Sequence, residues 1–264
     1  MIMKRFFSFF FIMTMCIVAT FAQQKIDVEN RVVLVAAQSF DEILVNGDVT
    51  VECRFKPELH RYVAYNTSEK TDKRIVCRND SNRLIIEGNN DNDKVASRIV
   101  VFCNDSLKAL IMNGTGNILV KEVPRLKRLH IIQNAQGAIK IDNLQAHFLS
   151  IVNNGSGQIL ARNVEARRLL TTNNGNGEIK LKTLKAFNGS FVSNGNSDMI
   201  LNDLLIRKAS FVTNGSGNFV LSGKVNEATL TTNNSGNIDA TNLSHKTALN
   251  INVNNAGTIT TKQK

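Results

Sequence analysis

A short motif that returns at a nearly constant interval restricts the fold of this chain more than any other feature. Each copy begins with Asn and, with one exception, has Gly at its fourth position, and consecutive copies are separated by 21, 20, 20, 20, 20, 19 and 21 residues. The eight leading residues are Asn113, Asn134, Asn154, Asn174, Asn194, Asn214, Asn233 and Asn254. A repeat of this length is typical of solenoids and other stacked arrays.

The segments on both sides of each motif alternate between apolar and polar residues. After Asn154, for example, apolar residues stand at Ile159 and Ala161, and before it at Leu149 and Ile151. This alternation predicts two short strands per repeat, each with one buried face.

Two architectures fit this pattern, an antiparallel meander with Asn-Gly hairpins and a parallel β-solenoid. The near-constant period favours the solenoid, because stacked rungs need equal lengths whereas hairpin loops can vary. Stacking would place the eight Asn in a column with a spacing of about 4.8 Å, where their amides can donate and accept hydrogen bonds. Asn and Gly would also supply left-handed backbone conformations at this corner.

The chain divides into three parts. Residues 1–22 are typical of a signal peptide, since Lys4 and Arg5 precede a long apolar run and Thr20 and Ala22 suit a signal peptidase site; a retained membrane anchor is the alternative. Residues 23–105 lack the repeat but contain short apolar runs between polar turns, which predicts an N-terminal cap or irregular first rungs. Residues 106–264 are predicted to form about eight rungs of about 20 residues. No membrane-spanning segment is expected after the signal peptide.

Composition agrees with a stacked aliphatic core. The 242 residues after the signal peptide contain eight Phe, two Tyr and no Trp, which is few for a globular aromatic core or for a lectin that stacks sugars on aromatic rings. They also contain Cys53, Cys77 and Cys103, an odd number that leaves open one disulfide with a spare thiol or three buried thiols. None has the spacing of a metal or redox site.

The sequence offers no candidate catalytic residues, metal ligands or cofactor site. Its carboxylates and four His occupy differing positions of the repeat, whereas a catalytic site on a β-helix needs a convergent group of carboxylates. We therefore expect a protein that is not an enzyme. A carbohydrate-active β-helix enzyme and a purely structural envelope protein are the alternatives.

Basic residues recur eleven to fifteen positions after the repeated Asn, so stacking would align them along one side of the rod. We call this set the basic edge; it comprises Arg125, Lys127, Arg128, Arg167, Arg168, Lys185, Arg207, Lys208 and Lys246. Such an edge either keeps the rod soluble or binds an anionic polymer, such as an acidic polysaccharide or the phosphates of lipopolysaccharide. Nucleic acid is not expected for an exported protein, and no aromatic residues interleave with these charges to stack bases.

The opening of the chain also resembles a known family. Phe40–Ile43, then Val45–Val51, then Leu84–Ile86 and the repeated N-G-S-G-x-I turns are similar to the head GIN domain of auto-transporter adhesins. The resemblance covers nearly all of the chain after residue 22. It implies a right-handed β-helix and export in a Gram-negative bacterium, to the periplasm, the outer-membrane surface or the medium. It also implies an adhesin-like binding role. The oligomeric state is unknown from the sequence.

Overall fold

The computed structural model describes residues 31–67, 75–88 and 98–262, which fold almost entirely as β-strands of one sheet. The predicted signal peptide lies outside the described residues. A single turn of 3-10 helix covers Pro57–Leu59. The strands are β1 Arg31–Ala36, β2 Glu42–Asn46, β3 Thr50–Phe55, β4 Tyr62–Thr67, β5 Ile75–Asp80, β6 Arg83–Gly88, β7 Arg98–Cys103, β8 Ala109–Met112, β9 Asn117–Gln133, β10 Ala138–Asn153, β11 Ile159–Asn173, β12 Ile179–Ser193, β13 Met199–Thr213, β14 Phe219–Thr232, β15 Ile238–Val253 and β16 Ile259–Thr261.

The repeats stack in parallel, as the constant period predicts. Each strand from β9 to β15 pairs with the next in parallel, and equivalent repeat positions face each other: Ile139 lies opposite Ile118 and Ile159. The chain is therefore an all-β parallel solenoid with about eight regular turns of about 20 residues, and the predicted fold class is confirmed.

Each rung has three sides. Along β10, β11 and β13 buried residues alternate with residues outside the core, except at two places where two consecutive residues both lie outside it. In β10 these places are Asp142 with Asn143 and His147 with Phe148. Because side chains of a straight strand alternate between its faces, two neighbouring outward residues mark a bend. The Asn-x-x-Gly turn supplies the third corner.

The core consists of columns of like residues on successive rungs. Ile118, Ile139, Ile159 and Ile179 are completely buried in one column, which continues with Met199 and Phe219. In the neighbouring column Phe191 and Phe211 lie on successive rungs, and their ring centroids are 4.9 Å apart. The residues two positions before them are small, Gly189 and Ala209. The small residues leave room for the two rings in the close-packed interior.

The N-terminal residues add two rungs in an order that differs from the order of the chain. The rung formed by β2 and β3 lies between the rung formed by β6 and β7 and the first regular rung, which begins with β8 and β9. All four contacts are parallel. Salt bridges tie the junctions, including Lys108 to Asp41 at 2.5 Å and Arg83 to Glu42 at 2.6 Å.

Antiparallel strands cover the outer side of the β6–β7 rung. β4 pairs with β7 and carries β1 on its far side, and β5 pairs with β6. Segment 31–103 thus contributes both irregular rungs and a cover for this end of the stack, which removes a parallel edge that would otherwise be open.

A buried carboxylate joins β3 to β7. Glu52 is 3% exposed and accepts hydrogen bonds from Arg54 at 2.9 and 3.1 Å. It also forms an ion pair with Arg98 at 2.5 Å. The hydrogen bonds of Arg54, aided by the charges of Arg54 and Arg98, outweigh burial and hold the pKa of Glu52 below its ordinary value.

We expect this pairing to make the protein sensitive to acid. A depressed folded-state pKa contributes stability above the unfolded pKa, and this contribution disappears as pH falls through the folded pKa. Glu52→Gln should therefore lower the free energy of unfolding by about 1–3 kcal/mol at pH 7 and by less at pH 3. Urea titrations at both pH values test this, and an equal loss at the two would contradict it.

The three cysteines of the described chain are free thiols. Cys53 and Cys103 are buried side by side, while Cys77 is half-buried and burial raises its pKa to about 11. Cys53 faces Val101 across parallel strands, so Cys103 is its diagonal neighbour, with a Cα separation of about 8 Å that exceeds the usual disulfide range. Of the two alternatives left by the sequence, free thiols are what the structure has.

Candidate functional site

The repeated asparagines form a continuous hydrogen-bonded column at one corner. The Nδ2 group of each Asn donates to Oδ1 of the Asn on the preceding rung, at 2.6–2.8 Å, in all seven steps from Asn113 to Asn254. A second set of polar residues one position earlier points inward. Asn153 and Asn173 donate to the carbonyls of Gly157 and Gly177 of the same turn, at 2.8 and 2.9 Å.

The glycines of this corner have a different role from the one expected. Among the described residues only Gly47 and Gly223 combine glycine with a positive φ, and no repeated Asn has one, so the predicted left-handed corner is wrong. The reason for glycine is close approach: a Cβ on Gly177 would overlap the carbonyl oxygen of Gly157 on the preceding rung. The rungs touch backbone to backbone here, and only hydrogen fits between them.

A polar groove of about 750 Å³ follows this corner, lined by Gly47 and by turn residues of four rungs up to Asn176. Its lining has no charged side chain. The leading Asn amides along it are bonded to one another, so they hold successive turns in register. The corner is therefore primarily structural.

The structure brings the basic edge together around the bend that precedes the third side of each rung. Arg128, Phe148, Arg168, Asn188 and Lys208 lie opposite one another in one column, on successive rungs. The residues one position earlier form the neighbouring column: Lys127, His147, Arg167, Phe187 and Arg207. Two positions before the Phe187 column, Lys185 lies between Glu165 and Leu205 of the adjacent rungs. Lys246 is on the last full strand.

Only part of this charge is neutralised within the protein. Arg125 pairs with Glu165 at 2.6 Å, two rungs away, and Lys208 pairs with Glu227 at 3.4 Å. Within the part of the chain that the structure describes, the other members of the basic edge have no ion pair. They are Lys127, Arg128, Arg167, Arg168, Lys185, Arg207 and Lys246, and all are exposed.

Two phenylalanines interleave with these charges, contrary to the expectation from sequence. Phe187 is 46% exposed, and the Arg207 guanidinium lies 4.6 Å from its ring centroid; Arg128 lies 5.6 Å from the ring of Phe148. Cation–π contacts of this kind hold the guanidinium plane in position without neutralising it. A depression of about 280 Å³ beside Phe187 is lined by Arg125, Ala146, His147, Glu165, Ala166, Arg167 and Phe187. Repeat offsets 13 and 14 contain both aromatic residues, so the signal was present in the sequence.

The third side of each rung contrasts sharply with this edge. Most of its outward residues are small or β-branched, for example Ser150 and Val152, then Ser190 and Val192; the exceptions are His130, Leu170, Asn250 and Asn252. From Leu129 to Val253, the segments that form this side contain no Lys, Arg, Asp or Glu. Charge is thus concentrated on the other two sides and at the bend.

No three His, Cys, Asp or Glu side chains gather into a possible metal site within residues 31–67, 75–88 and 98–262. The same residues include no helix long and apolar enough to cross a membrane.

The stacked rungs, the Asn column and the basic edge define the class of this protein: a parallel β-solenoid whose exposed bend presents aligned cations. Its sequence matches the family model described as "Putative auto-transporter adhesin, head GIN domain" over residues 39–204 and 172–264. The chain belongs to this family, as the resemblance of its opening segment indicated.

Solved structures share the fold at low sequence identity. A "putative lipid binding protein" from Parabacteroides distasonis is 18% identical, with a TM-score of 0.71 over 90% of this chain and 98% of that one. A "putative adhesin" from Parabacteroides merdae is 14% identical, with a TM-score of 0.67 over 90% and 98%. Another from Parabacteroides distasonis is 15% identical, with a TM-score of 0.64 over 89% and 98%. No curated protein matches the sequence.

Proposed function

We propose that this protein is an exported, non-catalytic adhesin that binds anionic polysaccharide of the cell envelope along its basic edge. One observation carries the proposal: exposed cations without ion pairs lie in two adjacent columns on every second rung, with the exposed ring of Phe187 between two of them; they are Lys127, Arg128, Arg167, Arg168 and Arg207. Membership of an adhesin family and the signal-peptide pattern of residues 1–22 support export and a binding role.

The geometry suits an extended polyanion better than a compact ligand. Rungs repeat at about 4.8 Å, so Arg167 and Arg207, two rungs apart, are separated by about 10 Å with Phe187 between them. A chain with regularly spaced carboxylates or phosphates can follow the column, with sugar faces against the Phe187 ring.

The test is binding of the purified protein to polygalacturonate, which bears carboxylates, to lipopolysaccharide micelles, which bear phosphates, and to neutral dextran. The double variant R167E/R168E should weaken binding to one of the anionic probes at least about tenfold, since each cation near an anionic surface contributes about 1 kcal/mol. Binding of the parent protein should weaken as salt is raised, because exposed charges are screened.

The matched control is K140E/K182E, which makes the same change of net charge at Lys140 on the first side of the rungs and at Lys182 at the bend that follows it, where both are also exposed. It should retain most of the affinity. Equal losses in both variants, binding to dextran, or no binding to either anion would overturn the proposal. Cleavage of polygalacturonate would instead favour the β-helix enzyme.

A further inference from the structure

The two ends of the solenoid are finished differently. Antiparallel strands cover the N-terminal end, whereas the C-terminal end carries only the three residues of β16, which pair with Ile238–Ala240. Among the described residues, no strand lies on the far side of β15 beyond Ala240. The third side of the last rung is therefore an open parallel edge.

Core side chains are uncovered at this edge. Ile251 is 46% exposed and Val253 is 51% exposed, although the residues opposite them on β14, Leu230 and Thr232, are completely buried. An apolar depression of about 460 Å³ opens beside them, lined by Ala240, Leu243, Ser244, His245, Leu249, Thr261 and Lys262. The Val253 position is also unusual. From Gln133 to Thr232 each rung has a buried polar residue there, such as Asn153 or Thr213, whereas Val253 is aliphatic.

The backbone of the same residues lacks partners. In earlier rungs the carbonyl at this position accepts a hydrogen bond from the next rung: Asn174 N–H donates to Asn153 O, and Asn194 N–H to Asn173 O, both at 2.7 Å. By the alternation of a strand, the N–H and C=O groups of Leu249, Ile251 and Val253 point to the open end. No described residue pairs with them.

We propose that two copies of this chain join tail to tail through the open edge of β15. A two-fold axis at Ile251 would pair the strand with itself in antiparallel fashion, with Leu249 of one copy opposite Val253 of the other. Each copy then supplies both the backbone partners and the apolar cover that the other needs. A lipid tail could cover Ile251 and Val253 but could not satisfy their amides. Because a two-fold contact uses the same edge of both copies, the assembly closes as a dimer and does not continue into a fibre.

The size of the end sets the expected strength. A 20-residue rung has a perimeter of about 65 Å, and its end buries about 400–500 Å² per copy once side chains are included. The total lies near the lower limit for a specific interface, so we expect micromolar dissociation. Charge does not oppose contact between the strands, because residues 247–253 contain none.

Sedimentation velocity over a micromolar concentration series, with small-angle scattering at high concentration, tests this arrangement on the mature chain. The parent protein should show a dimer whose maximum dimension is about twice that of the monomer. The variant I251D/V253D should remain monomeric and folded, because both side chains are already exposed. The control L205D/V220D changes two apolar residues of similar exposure, 55% and 37%, on other parts of the rod and should dimerise normally.

A parent protein that is monomeric at all concentrations would overturn the proposal, as would a monomer found by mass spectrometry to carry bound lipid. A side-by-side dimer, of unchanged maximum dimension and unaffected by I251D/V253D, would place the contact on the uncharged third side instead and would equally overturn it. The proposal stands independently of polysaccharide binding, because Lys246 is the one member of the basic edge on β15 and it lies outside the pairing residues 249–253.

Discussion

Replacing Gly177 with Ala is expected to lower the free energy of unfolding by at least about 3 kcal/mol, the upper part of the range for overpacking. The added Cβ would overlap the carbonyl oxygen of Gly157 and lie 2.6 Å from Nδ2 of Asn153, whose own hydrogen bond closes the preceding turn. Backbone cannot rotate away as a side chain can. The rungs would have to separate, which would also break the Asn column on both sides.

Gly189→Ala is the matched control for this prediction. The same substitution there meets only side-chain atoms, 2.7 Å from Cε2 of Phe191 and 3.4 Å from Ile206, and the next rung already has Ala209 in this column. We expect it to cost about 1–2 kcal/mol. Urea denaturation followed by circular dichroism, with hydrogen exchange to localise the loss, compares the two. Equal costs would show that backbone contact at the corner does not limit the stack.

Phe211→Ala should cost about 3–5 kcal/mol, because it removes the largest part of the interior packing between three rungs. Phe211 is completely buried, stacks on Phe191 at 4.9 Å with an interplanar angle of 8°, and meets Phe219 edge-on at 6.0 Å. The neighbouring residue in its rung, Ala209, is too small to fill the resulting cavity.

The same substitution at Phe187, which is 46% exposed, separates loss of packing from loss of an aromatic ring. Phe187→Ala should change stability by less than about 1 kcal/mol while weakening polyanion binding, since Arg207 loses the ring on which it rests. Thermal unfolding of both variants decides the matter: a loss for Phe187→Ala as large as that for Phe211→Ala would contradict this view of the core.

Much of the regular stack could be predicted from the sequence, because its register is set by a repeat visible in the chain. Ile118 and Ile139 are one period apart and lie opposite each other. The N-terminal rungs could not be ordered in this way. Residues 42–55 and 83–103 share no repeat, and their neighbours are decided by contacts over 41 to 67 residues, such as Lys108 with Asp41.

The basic edge was visible as a recurrence of cations at similar offsets, but its electrostatics were not. Arg125 is neutralised by Glu165, forty residues later, because the two lie two rungs apart. Phe187 was missed for a related reason: aligning one residue type conceals what occupies the same position on the remaining rungs. The chemistry of a column depends on all of its residues, because each side chain has its neighbours on the rungs above and below.

The order of the first rungs has a consequence for how the chain acquires its structure. Residues 42–55 are the first rung to be completed when the chain emerges N-terminus first, yet both their neighbours lie later in the sequence. One edge waits for residue 103 and the other for residue 120, so this rung is held with two open edges until a long stretch has followed. Rungs can be added in the order of the chain only after the β2–β3 rung has paired on both of its edges. From there the rod can lengthen in a single direction, one period at a time, toward Val253.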